Sequence, residues 1–219
     1  MEEKEIHDEL AAIRGLMERS SKFISLSGLS GILAGVYALI GAGAAYLLIL
    51  NANLFSNAQY TVFTDSSGIH NFIIDYSSLV WQLSSIAMAV LLASITTAIL
   101  LSKRQARRKN QPIWGRISRQ LIFHMAVPLL AGGGLIVGLI FDSHLFYIQV
   151  APVCLIFYGL ALVSASNFTF PMVKYLGLCE IALGLIAACV PGYGLLFWAL
   201  GFGVLHIIYG GMMYLKYDR

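Results

Sequence analysis

Glu180 and His206 each sit deep inside an apolar run, and glycines flank both at matching intervals. Gly177, Glu180 and Gly184 repeat the three-then-four spacing of Gly203, His206 and Gly210. Residues three and four apart share one face of a helix, so each ionisable side chain stands between two glycines about a turn away. Glycines on a helix face admit a close backbone neighbour. The turn signal Pro191-Gly192-Tyr193 separates the two runs, with Glu180 twelve positions before Gly192 and His206 fourteen after it, which sets them near one level of a helical hairpin. A carboxyl and an imidazole meeting there can form a charge-assisted pair or share a proton. Such a pair can serve as a structural lock, a proton relay, an ion site or a substrate contact. His124, at the start of a third apolar run, completes the polar set.

No residue is marked as catalytic. The chain has no HExxH, no GxSxG, no phosphate-binding loop and no paired acidic motif of the intramembrane-protease type. Gly201-x-Gly203 reads as apolar packing, because no strand-to-helix context surrounds it. Cys154, Cys179 and Cys189 lie in apolar runs without CxxC spacing or nearby His pairs. They read as packed thiols, and no metal or other cofactor is expected.

Composition says in which solvent these residues must be held. Of 219 residues, 58% are hydrophobic and 11% charged, against roughly 25% charged in an ordinary soluble domain. With a mean hydropathy of +0.78, the chain has too little charge to coat a globule, whereas a bilayer accepts apolar side chains on the outside of helices. Six stretches, 26–50, 79–101, 121–141, 145–164, 175–190 and 195–215, are long enough to cross a hydrocarbon core, which takes about 20 helical residues. Glu180 falls in the fifth and His206 in the sixth, and ionisable groups inside spans are costly enough to suggest function. The expected fold is an all-α membrane protein, a bundle of six transmembrane helices forming one domain over 23–219. A short amphipathic cytoplasmic helix over 1–22 precedes it, since Ile6, Leu10, Ile13 and Met17 recur at helical spacing. The acidic start MEEKEIHDEL lacks a signal-peptide pattern, so the first span is expected to stay uncleaved.

Lys and Arg in short loops collect on the cytoplasmic side. Lys4, Arg14, Arg19 and Lys22 precede the first span, seven basic residues occupy the loop 102–120, Lys174 follows the fourth span, and Lys216 and Arg219 close the chain. With six spans all 14 basic residues fall on one side, and Asp65, Asp75 and Asp142 on the other. Both termini are therefore expected in the cytoplasm. This placement also removes nucleic acid as the reading of the +3 net charge. The basic cluster Lys103, Arg104, Arg107, Arg108 and Lys109 sets topology and could hold anionic lipid head groups or an acidic partner.

Three further features bear on packing. Ser27, Gly31 and Gly35 repeat every four residues along the first span, an association face for another helix of the chain or for a second subunit. Pro128 followed by Gly132, Gly133 and Gly134 predicts a kink in the third span. The loop 51–78 is extracytoplasmic, and its β-branched and aromatic residues around Ser67-Gly68 could pair as a small hairpin.

The stretch IRGLMERSSKFISLSGLSGILAGVYALIGA, residues 13–42, has a basic and polar lead-in followed by closely spaced Ser and Gly. It resembles an uncharacterised family of bacterial multi-spanning inner-membrane proteins. The resemblance implies a bacterial inner (plasma) membrane setting and no particular activity. Taken together, the residues point to a protein that moves or senses a small solute or ion through a helix bundle with Glu180 and His206 at its core. The alternative is a non-catalytic scaffold or regulatory subunit whose N-terminal helix and basic loop bind a protein partner or a second copy. An intramembrane enzyme is the third and weakest reading.

Overall fold

Long apolar runs with no water to bond their backbone must close their hydrogen bonds internally, and helices do so segment by segment. The computed structural model describes residues 27–55, 60–64, 70–74, 77–108, 114–141 and 143–218. The expected amphipathic helix over 1–22, Lys109, and the aspartates 65, 75 and 142 lie outside the described residues.

Six long helices follow in chain order: α1 (Gly28–Phe55), α2 (Ser77–Arg108), α3 (Arg116–Ile140), α4 (Ser143–Ala165), α5 (Met172–Cys189) and α6 (194–218). Each is long and apolar enough to cross a membrane. Between α1 and α2 two short strands, β1 (Tyr60–Thr64) and β2 (His70–Ile74), pair antiparallel with Thr64 opposite His70. A 3₁₀ turn, Ser166–Phe168, leads from α4 to α5. The α5–α6 turn reverses at Gly192, whose φ of 93° is open to glycine at no steric cost. A long apolar helix stands where each of the six spans is expected, several of them longer than the apolar runs. In particular, α2 continues through Arg108, so Lys103 to Arg108 form the last turns of a helix rather than part of an irregular loop.

The outer surface is apolar. Leu130 is 75% exposed, Phe123 66% and Trp81 65%, an arrangement that water would penalise over so large an area and that lipid accepts. The interior is built from small residues and one compact cluster, Leu162, Phe170, Val173, Leu176 and Met213, at the end of the bundle where α4 turns into α5.

Two glycine crossings organise the bundle. A Cβ on Gly159 of α4 would lie 2.6 Å from the Gly177 carbonyl of α5, and a Cβ on Gly177 would lie 2.7 Å from the Gly159 carbonyl, so neither helix has room for a side chain there. Along α1, Gly31 lies against the Gly210 backbone of α6, and Gly35 against the Gly203 carbonyl. The small-residue face of α1 is thus used within the chain. These contacts correct the expectation that the glycines flanking Glu180 and His206 draw α5 and α6 together. Gly177 and Gly184 face α4, while Gly203 and Gly210 face α1. Glycine spacing marks where a neighbour approaches, not which neighbour.

In α3 the helix runs on through Pro128. A Cβ on Gly132 would lie 2.5 Å from the Phe157 Cβ of α4, whereas Gly133 and Gly134 face open space. The glycine run therefore serves packing on one face only.

Candidate functional site

The pitch of α6 changes where the site lies. Residues Gly194–Trp198 are α-helical, Ala199–Leu205 form wide π turns, and His206–Met213 return to α. Each π turn carries an extra residue, and such insertions are frequent at functional sites. Gly201, five residues before His206, is brought beneath its ring: the ring Nδ1 lies 3.0 Å from the Gly201 carbonyl. A carbonyl only accepts, so Nδ1 carries a hydrogen and donates it. In the neutral ring Nε2 is then a lone pair, and the Tyr158 hydroxyl of α4 donates to it at 2.8 Å. His206 is held at both nitrogens and is 6% exposed.

Glu180 is brought to the same place from α5. Its Oε1 lies 3.4 Å from His206 Nδ1, beyond the 2.7–3.2 Å of a good N–H···O bond, and the hydrogen on that nitrogen is already aimed at Gly201. The side chain is fully buried, at 0% exposure, yet neither carboxyl oxygen has a hydrogen-bond partner among the described residues. Gly201 admits it: a Cβ there would stand 2.5 Å from Glu180 Oε2 and also strike Leu155. The pair is therefore a juxtaposition of two buried ionisable groups and not a closed hydrogen-bonded lock.

Aromatic rings wall the site. Phe202 stacks toward His206 with centroids 6.0 Å apart, Tyr158 lies 5.1 Å from Phe202, and Trp198 5.5 Å from Phe202. Beyond Trp198, toward the α5–α6 turn, is a cavity of about 130 Å³ among α1, α2, α4 and α6, with Ser84, Ala151, Cys154, Gly194 and Trp198 in its lining. Glu180 and His206 do not line it. Trp198 of the cavity lining packs on Phe202, and Phe202 in turn on His206, so this pair of rings lies between the cavity and the imidazole.

Of the other expected residues, His124 does not join the pair. It is exposed on α3, stacked at 4.8 Å on Phe168 and edge-on to Phe123. Lys103, Arg104, Arg107 and Arg108 line a cleft of about 480 Å³ with Leu100 at the end of α2. The thiols are not all packed as expected: Cys154 is half-buried, while Cys179 and Cys189 are exposed. Among the described residues no three His, Cys, Asp or Glu side chains cluster as a metal site.

Tyr158 and Gly201 complete the site and were not among the expected residues. Tyr158 lies on a helix whose only sequence signal is apolarity, and Gly201 falls off the His206 face unless the helix is π. Comparison of the chain with protein-family models, with curated proteins and with solved structures finds no match to any of them.

Proposed function

We propose that this chain is a multi-pass protein of the bacterial inner membrane, with N- and C-termini in the cytoplasm, that moves or senses a small solute or ion through its helix bundle. One observation carries the reading. Glu180 is wholly buried and neither oxygen is bonded among the described residues, whereas a carboxyl retained only to lock helices gains from donors that satisfy it. An ionisable group kept at that cost inside a span is a working site by default, and the aromatic layer between it and the cavity suits a gate in its closed position. The orientation rests on all 14 basic residues falling on one side of six spans.

The test is charge movement. With the full chain in liposomes on a solid-supported membrane, jumps of pH, Na⁺, K⁺ or small organic solutes should evoke a transient current for at least one species, abolished by Glu180→Gln. Silence to all of them in folded protein would remove the proposal.

The seal around Glu180 favours a second reading, a non-catalytic scaffold or regulatory subunit. In that case the interaction surfaces are the basic end of α2, with Lys103, Arg104, Arg107 and Arg108 exposed, and the N-terminal segment, meeting anionic lipid head groups, a protein partner or a second copy. Purification in mild detergent followed by native mass spectrometry distinguishes the two: a stoichiometric partner, lost on neutralising the basic cluster, selects the scaffold.

A further inference from the structure

Resting on the reading of Glu180 as a working site, we infer that the ion is the proton, passed between Glu180 and Tyr158 through the His206 ring. Space is the first argument. A single methyl at Gly201 would already lie 2.5 Å from Glu180 Oε2, and the cavity near Trp198 does not reach the carboxyl, so neither the Gly201 side nor that cavity offers a hydrated cation or an organic solute a place beside it. A proton needs no volume.

Geometry is the second argument. The Tyr158 hydroxyl, the two ring nitrogens and Glu180 Oε1 form one line of contacts at 2.8 and 3.4 Å. Once the ring tilts so that Nδ1–H turns from the Gly201 carbonyl toward Oε1, transfer breaks the Nδ1–H bond and forms Oε1–H, while Tyr158 O–H breaks and Nε2–H forms. Tyr158, left as the phenolate, then takes a proton from water and leaves hydroxide, so one proton enters the line, one reaches Glu180, and the ring has changed tautomer. The new tautomer turns a lone pair on Nδ1 toward the Gly201 carbonyl in place of the hydrogen that carbonyl now accepts. That contact is repulsive. Loading Glu180 therefore loosens the hold of His206 on the π stretch Ala199–Leu205, which also carries Phe202 of the aromatic layer. Proton arrival and opening of the layer are coupled through one carbonyl.

The titratable groups around the line come from three helices. Tyr158 on α4 has Glu180 of α5 and Tyr209 of α6 as its electrostatic neighbours, and Cys154, one turn before Tyr158, faces the cavity. From α1 the site meets Gly35 and Leu39, packed on Gly203, neither of which titrates.

Infrared difference spectroscopy of the full chain in lipid nanodiscs, stepped in pH, tests this. A carboxylic-acid C=O band that follows pH, shifts in D₂O and vanishes in Glu180→Gln is the expected result. Tyr158→Phe should keep the band and slow its appearance by about a hundredfold, the low end for loss of a positioned proton donor. If Glu180→Gln does not fold, Glu180→Asp, which should shift the band rather than remove it, supplies the assignment on which the Tyr158→Phe rate is compared. No pH-dependent band in folded protein overturns the inference, as does an unchanged rate in Tyr158→Phe. A band fixed in pH but shifted by Na⁺ or K⁺ also overturns it, while leaving ion movement at Glu180 standing. Loss of all currents with the band intact would instead remove transport and keep the proton site.

Discussion

Glu180 Oε1 lies 3.4 Å from His206 Nδ1, but the hydrogen on that nitrogen points to the Gly201 carbonyl at 3.0 Å. The N–H nearest the carboxyl is thus already engaged, and the two residues are neighbours without being bonded. Stability should register this. Glu180→Gln keeps the shape and removes a carboxylate that has no hydrogen-bond partner among the described residues, so it is expected to change the unfolding midpoint in detergent little or to raise it. Glu180→Ala should cost about 2–5 kcal/mol by opening a hole. A loss of more than about 2 kcal/mol in Glu180→Gln would show that the carboxyl is held by a bond after all.

Gly201 is the position that makes room for the carboxyl. Adding one methyl there drives against Glu180 Oε2 and Leu155, and overpacking of this kind typically costs about 1–3 kcal/mol. Gly133→Ala, in open space on α3, is the control and should be neutral or slightly stabilising, because alanine is the better helix former. Thermal unfolding of the two variants side by side decides it. Equal midpoints would place Glu180 elsewhere.

The α4–α5 crossing makes a different demand. Gly159 and Gly177 each sit against the other's carbonyl, so either alanine alone should force the helices apart and cost about 1–3 kcal/mol. Once they are apart, the second alanine meets less resistance. The double variant is expected to fall short of the sum by 0.5 kcal/mol or more, on the order seen for residues in contact. Strict additivity would mean that the two glycines do not face each other.

How much of this was legible beforehand follows from what each signal encodes. Apolar runs state a requirement of the solvent, and so all six helices could be placed from the sequence. Helix ends were less legible at the basic loop, because Lys103 to Arg108 are good helix formers as well as topology signals, and α2 carries through them. The nearness of Glu180 and His206 was readable from the Pro191-Gly192 turn, while the facing of their glycines was not, since a short turn makes α5 and α6 adjacent without saying how each is rotated. Tyr158 belongs to a third helix and no interval in the chain points to it. Gly201 became part of the site only through the π turns, which no single-residue propensity announces.

The basic end of α2 offers a prediction that separates topology from binding. Lys103, Arg104, Arg107 and Arg108 are exposed along one cleft with Leu100. Clustered cations beside a membrane surface attract anionic head groups by about 1 kcal/mol each, within a Debye length of about 8 Å at physiological salt. Replacing the four with Gln should therefore release anionic lipid retained by the purified protein, as should raising the salt on the native chain. Orientation is a second readout. In the proposed orientation Arg116, Arg119, Lys174 and Lys216 remain on the cytoplasmic side, so a reporter fused after Arg219 should stay there in the quadruple variant. Retained lipid with an inverted reporter would show that these four residues set topology alone; lost lipid with an unmoved reporter is the expected result, and it assigns them to binding.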